Sequence, residues 1–403
     1  MRIPHDQFCV LPWISMEASP IGTVRPCCLA DDEIVDNDGN KFKLATAEFA
    51  VIQNSNHMRL LRTEFLAGHR PETCRKCWNE EDSGRTSKRM HTLNRLKHVL
   101  EDEHWNSDSK PLMFLDLKLG NICNLKCRIC GSWSSSQFAG EEISFMPRAE
   151  QKSSHAYKML RAGAWPKENN HFWKEIDSVL NDIRYIEFTG GEPFMIDQHF
   201  DMLQGIVDRG IAGQVEIHYN TNGTLFPERG PEIWKHFKTV EIAFSIDDIG
   251  PRFEYQRSNA SWETVKENIN RFRIMREGMP NLQLQCCTTV NVFNVRYLDE
   301  VALWIELQDF DFVYWNMMHD AWYFSISRLP VNAKQHIADY LATCNTPEQF
   351  RAEFGRIIDF MIRGEASDGE ETRQQIRNLD QRRQQDLKKL APELAEILGY
   401  AKI

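Results

Sequence analysis

Six apolar segments of strand length recur along the middle of this chain, with amphipathic helical patterns between successive ones. They are Phe114 to Leu119, Tyr185 to Thr189, Val215 to Asn220, Val240 to Ser245, Leu282 to Thr288 and Phe312 to Asn316. The intervening helices carry their apolar residues on one face: Phe172, Ile176 and Val179, then Phe200, Leu203 and Val207, then Val265, Ile269 and Phe272, then Leu298, Val301 and Ile305. Strands that return through helices pair in parallel, so the expected fold is α/β, a partial (β/α)6 barrel. Reactive groups in such sheets gather at the carboxyl ends of the strands. Every motif singled out below follows a strand.

The first strand runs into Cys123, Cys127 and Cys130, three thiols on one loop. The second ends at Gly190, Gly191, Glu192 and Pro193, the third at Thr221, Asn222 and Gly223, and the fourth at Ser245. Iron–sulfur cubes take four cysteine thiolates, so a three-thiolate loop with no fourth cysteine nearby leaves one iron open to an outside ligand. A structural zinc site wants four ligands and is a poorer fit to that loop. Glu192 offers a carboxylate suited to an ammonium group. Cys286 and Cys287 lie inside the fifth strand, where small buried thiols are ordinary core. His319 and Asp320, after the sixth strand, read as a solvated loop ahead of a substrate-side acid or base.

Ahead of the barrel lies a second cysteine set. Cys9, Cys27 and the pair Cys74 and Cys77 come from well-separated positions, and Cys28 stands beside Cys27 as an alternative ligand. A strand is expected around Trp13 to Glu17 with a hairpin turn at Ile21 and Gly22, and a helix carries Met58, Leu61 and Phe65 on one face. Four thiols suit zinc or a four-thiolate cluster equally, and spacing does not separate the two. The charged run Trp78 to Arg89 reads as a solvated helix or linker, and the polar stretch from Glu101 to Lys110 as a domain boundary.

The Cys-x3-Cys-x2-Cys loop, followed by Gly-Gly-Glu-Pro at the next strand end, resembles the radical SAM enzymes. The order Cys9, then Gly22-x4-Cys27, then Cys74-x2-Cys77 resembles the twitch or SPASM extension that carries an auxiliary cluster, although here it precedes the core. The resemblance implies a TIM-like partial barrel and a [4Fe–4S] cluster held by Cys123, Cys127 and Cys130. It also implies S-adenosylmethionine bound through Gly190, Gly191, Glu192 and Pro193, with Asn222, Ser245 and Arg257 as further contacts. The auxiliary [4Fe–4S] cluster would sit on Cys9, Cys27, Cys74 and Cys77. The implied chemistry is reductive cleavage of S-adenosylmethionine to a 5′-deoxyadenosyl radical that abstracts hydrogen from a substrate. A ribosomally made peptide is the leading substrate class, and a sugar, nucleoside or amino-acid derivative the alternative. An electron donor such as flavodoxin or ferredoxin is the expected partner. A non-catalytic iron–sulfur or zinc protein that relays electrons is the competing class.

The domains read as 1–105 for the twitch-like domain, 106–328 for the radical SAM core and 329–403 for a helical C-terminal segment. That last segment carries Ile337, Leu341, Phe350, Phe354, Ile357 and Met361, then a charged stretch from Glu365 to Arg377 and a break at Pro392. Of the 403 residues 48 are basic and 58 acidic, a net charge of −10 that argues against a nucleic-acid backbone as partner. No apolar run is long enough to span a membrane, and the start at Met1-Arg2-Ile3 lacks a signal-peptide core, so a reducing cytoplasm is expected. Eleven cysteines in that setting point to metal or catalysis before disulfides.

Overall fold

The structure is a computed structural model that describes residues 3–82, 86–100, 104–318 and 321–400. Met1 and Arg2, part of the charged run at 83–85, part of the expected boundary at 101–103, and both His319 and Asp320 lie outside the described residues.

Among the described residues ten strands are present. They are β1 (Ser15–Ala18), β2 (Val24–Arg25), β3 (Phe114–Lys118), β4 (Lys126–Cys127), β5 (Tyr185–Thr189), β6 (Glu216–Thr221), β7 (Thr239–Ser245), β8 (Arg257–Ser258), β9 (Leu282–Val290) and β10 (Phe312–Met317). Eight form one sheet in the order β10-β9-β7-β6-β5-β3-β1-β2, while β4 and β8 make a separate antiparallel pair. β1 pairs with β3, β3 with β5, β5 with β6 and β9 with β10 in parallel, and β1 with β2 antiparallel. The fold is α/β, with the connectivity of a TIM-like partial barrel. All six expected strands are present, in parallel alternation with helices.

The chain divides into two compact units, of which the first comprises residues 1–123, 132–219 and 227–240. Its N-terminal part differs from expectation at one point. Trp13 belongs to a short helix, Leu11–Ile14, with Pro12 in its first turn, and the strand begins only at Ser15. That strand joins the main sheet, with Ser15 to Ala18 opposite Phe114 to Leu117. The indole of Trp13 donates to the Asn106 carbonyl at 2.6 Å and packs against Phe8 and Trp105, so the N-terminal segment is fastened by aromatic burial. Gly22 makes the turn between β1 and β2 at φ +76°, a conformation that favours glycine. The helix Asn56–Leu66, capped by Ser55, buries Met58, Leu61 and Phe65 as the pattern predicts. The run read as a solvated helix or linker is helical up to Asp82 and exposed at Asn79, Asp82 and Thr86, but Trp78 and Arg89 are buried, and Arg89 pairs with Glu81 at 2.6 Å. On the other side of β5, Phe188 stacks on Tyr219 at 4.9 Å, and the helices Asn170–Val179 and Gln198–Asp208 bury Phe172, Ile176, Phe200, Leu203 and Ile206.

The second unit comprises residues 124–131, 220–226 and 241–403. Helices Trp262–Glu277 and Leu298–Glu306 bury Val265, Ile269, Phe272, Val301 and Ile305. Cys286 and Cys287 are buried core on β9. The C-terminal segment is helical at Val331–Thr343, Glu348–Arg363 and Glu370–Arg383, and Pro392 opens the helix Pro392–Ile397. Phe350 and Phe354 close edge-on over Trp315. The charged stretch still carries a core face, because Thr372, Ile376 and Leu379 are buried. Among the described residues no helix is long and apolar enough to cross a membrane.

Candidate active site and auxiliary thiol centre

In the first unit, four thiols from distant sequence positions come together. Burial pushes the Cys9 thiol well up, and Cys74, Cys27 and Cys77 each add to that rise, so all three lie close to it. Burial likewise raises Cys27 and Cys74, and pushes Cys77 up to about 11. Cys27 and Cys77 each add to the rise at Cys74, and none of the four is in a disulfide. Among the described residues no three Cys, His, Asp or Glu side chains already stand in a metal-holding arrangement. Four thiols are nevertheless the donor set that a zinc ion or a four-thiolate cluster takes. Burial raises Cys28 first and Asp116 second, with Lys88 opposing and Cys27 adding to the rise.

Those charges form a row that the sequence reading missed. Glu17 of β1, Asp116 of β3 and Glu187 of β5 stand at one register across three neighbouring strands. Lys88 bridges two of them, with its Nζ 2.7 Å from Glu187 and 3.3 Å from Asp116. Glu17, fully buried, accepts two bonds from Arg25 at 2.9 Å and pairs with Lys118. Burial opposes ionisation of Asp116, yet Lys88 and Lys118 hold it below the usual carboxylate range. The alternation Phe114-Leu115-Asp116-Leu117-Lys118 was the available signal: its polar residues share one face of the strand. Arg25 also lines a pocket of about 480 Å³, together with Asp31, Asp32, Glu33, His57 and Trp133.

The glycine turn lies in the same unit. Gly190 has φ +112°, and the amides of Gly191 and Glu192 donate to the carbonyls of Gly120 and Ile122 at 3.2 and 2.8 Å. A Cβ on Gly191 would fall 2.2 Å from the Ile122 oxygen, and one on Gly190 2.8 Å from the Gly120 oxygen. Both glycines are thus required by backbone clearance, whatever a ligand also demands. Glu192 is almost fully buried, and its carboxylate accepts from the Phe194 amide at 3.3 Å while Pro193 opens the short helical turn after it. Cys123 is also buried, and its amide donates to Ser136 Oγ at 3.2 Å.

In the second unit, β4 pairs Cys127 with Arg257 of β8. Arg257 is buried, ion-paired to Asp247 at 2.7 Å, and its Nη1 lies 3.9 Å from the Cys127 sulfur. The Cys130 thiol hydrogen-bonded to Cys127, with Arg257 beside it, holds the Cys127 thiol below its ordinary value in spite of burial. That chemistry suits a thiolate ligand. Asn222 donates to Asn124 at 2.9 Å and accepts from the Thr224 amide at 2.9 Å, so it braces the loop that follows β6. Ser245 is half-buried at the carboxyl end of β7. The arginine's first partner is therefore a protein carboxylate, Asp247, which the sequence reading did not single out.

Comparison with known proteins follows these features. The sequence model of the radical SAM superfamily matches residues 117–305, and that of the SPASM iron–sulfur cluster-binding domain matches residues 9–78. The GTP 3′,8-cyclase of Aquifex aeolicus (strain VF5) is 24% identical over 153 residues, which is 38% of this chain and 41% of that protein. Among solved structures, anSMEcpe with bound AdoMet is 19% identical over 52% of each chain with a TM-score of 0.35. SuiB of Streptococcus suis bound to the precursor peptide SuiA is 12% identical, over 77% of this chain and 65% of that one, also with a TM-score of 0.35. This chain spans about half the length, or less, of the first two of these proteins. The radical SAM domain implies a [4Fe–4S] cluster and S-adenosylmethionine, and the SPASM domain implies auxiliary iron–sulfur binding. Residues 117–305 are thus a radical SAM superfamily domain, and residues 9–78, ahead of it, a SPASM domain.

Proposed function

We propose that the protein is a radical SAM enzyme that modifies a ribosomally made peptide, with Cys123, Cys127 and Cys130 as the ligands of the S-adenosylmethionine-binding cluster. When bound, that cluster supplies the electron that cleaves the sulfonium of S-adenosylmethionine and so releases a 5′-deoxyadenosyl radical. The protein's own residues do the rest. Gly190 and Gly191 hold the turn close, Glu192 and Pro193 present a carboxylate edge to the methionyl ammonium, and Asn222, Ser245 and Arg257 border the ligand from the strand ends. Cys9, Cys27, Cys74 and Cys77 hold an auxiliary cluster. The domain limits 1–105, 106–328 and 329–403 complete the reading, with a flavodoxin or ferredoxin as electron donor in a cytoplasmic setting.

The observation that carries the reading is the state of Cys127: a buried thiol kept low by Cys130 and Arg257 is ready to ligate metal. The test is anaerobic reconstitution followed by reduction with S-adenosylmethionine. Release of 5′-deoxyadenosine, stimulated by a peptide fraction of cell extract more than by a metabolite fraction, is expected. No release from fully iron-loaded protein refutes the enzyme reading, and full stimulation by metabolites alone refutes the peptide.

A further inference from the structure

Arg128 sits inside the thiol loop, between Cys127 and Cys130, and its side chain is fully buried. Its Nη2 donates to Asp380 Oδ1 at 2.6 Å and to Gln385 Oε1 at 2.8 Å, and its Nε to the Tyr255 carbonyl at 2.9 Å. The guanidinium also lies 3.5 Å from the centre of the Tyr255 ring and 5.8 Å from that of Phe293. Asp380 is itself buried in the last turn of the helix Glu370–Arg383, and accepts further bonds from the Tyr255 hydroxyl at 2.8 Å, the Leu387 amide at 3.0 Å and the Tyr400 hydroxyl at 3.3 Å.

The helix ends in a way that makes this grip possible. Gln384 adopts a left-handed conformation, φ +53°, and turns the chain so that the Gln385 amide meets the Asp380 carbonyl at 2.9 Å. Gln385 and Asp380 then face Arg128 together. Three residues along the same turn, Arg383 donates to Ser258 Oγ at 3.1 Å, and Ser258 belongs to β8, the strand paired with Lys126 and Cys127. The helix end therefore holds the loop at Arg128 and again through the strand beside it. This helix lies beyond residue 305, outside the segment that the superfamily model matches.

A buried ion pair adds little net stability over an apolar substitute, whereas it does specify geometry. The thiol loop has only two residues of strand to set its shape. We propose that Asp380 and Gln385 are positioning residues that set Arg128, and through it the backbone carrying Cys127 and Cys130, so that the C-terminal helical segment is part of the cluster-holding apparatus. The proposal rests on the assignment of those cysteines as cluster ligands. Partners that orient metal ligands from outside the coordination sphere typically cost 10–100-fold in metal affinity when removed.

The experiment uses full-length protein, reconstituted and reduced without oxygen, and follows the electron paramagnetic resonance signal that S-adenosylmethionine alters. The readout is the lifetime of that signal under a chelator. Asp380→Asn keeps the shape and removes the charge, and should shorten the lifetime by about tenfold. Gln385→Ala should shorten it less, Asp380→Glu should restore part of the loss, and Tyr400→Phe, which leaves Arg128 its acceptors, should not change it. Lifetimes equal to wild type in Asp380→Asn and Gln385→Ala overturn the proposal. If Asp380→Asn does not fold, Gln385→Ala alone decides, since Gln385 is only half-buried. A wild-type protein with no signal that responds to S-adenosylmethionine overturns the ligand assignment, and the proposal with it.

Discussion

The two thiol centres are built on opposite principles. The N-terminal quartet draws Cys9, Cys27, Cys74 and Cys77 from across the first unit, and burial raises every one of them. The strand-end loop takes its cysteines from one short stretch, and Cys127 there is held low by Cys130 and an arginine. A closed set of four thiols that resist ionisation gains most from metal, so metal binding there is coupled to folding. On the proposed assignment, a loop with three thiolate ligands leaves a position for an outside molecule. Under that assignment the contrast separates a centre that supports from a centre that reacts.

The sharpest way to break this comparison is to disable each centre in turn. Cys127→Ala should abolish 5′-deoxyadenosine release, while Cys74→Ala with Cys77→Ala should lower bound iron by about four per chain, leave cleavage of S-adenosylmethionine in place and reduce thermal stability. Iron counts and nucleoside release measured on both proteins check the pair of outcomes. Equal loss of cleavage in the two would erase the distinction.

A smaller effect is expected from the charge row beside the quartet. Lys88→Met leaves Asp116 and Glu187 without their shared counter-charge in a buried setting, which should cost roughly 3 kcal/mol in denaturant unfolding. Lys88→Arg should recover most of it. Retention of full stability in Lys88→Met would mean that the row is hydrated and only loosely coupled to the auxiliary centre.

The effect smallest at any one pH step is a dependence on acid confined to the first unit. His199 is fully buried and hydrogen-bonded to the Ile196 carbonyl and, at 3.0 Å, to the Tyr219 hydroxyl, and burial lowers its pKa to about 4. The unfolded imidazole, at about 6.5, binds a proton that the folded one refuses between those values. Stability is thus present above the unfolded value and lost as pH falls toward 4, with a slope of at most about 1.4 kcal/mol per pH unit from this residue. Unfolding curves collected across that range should show the slope, and His199→Gln should flatten it.

Much of this was legible in the residues themselves. Period and punctuation located all six strands of the alternating region, and the spacing of thiols after β3 pointed to the reactive loop, because both signals are local. What stayed hidden was non-local. Nothing near Ser15 announces that β1 will pair with Phe114 to Leu117, and nothing near Arg128 announces Asp380, since side chains far apart in sequence meet only once the fold exists. Charge misled at Arg89, where a polar run looked solvated although individual members are buried against partners. Glycine was half understood. The pair at 190 and 191 reads as room for a ligand, while the structure adds that the neighbouring backbone needs that room first.

That crowding makes the stem of the thiol loop and the turn after β5 a single stitched seam. The Gly191 and Glu192 amides are spent on the carbonyls of Gly120 and Ile122, and no methyl group fits between the two chains at Gly191. A side chain at position 191 would therefore have to part the two backbones before it met any ligand.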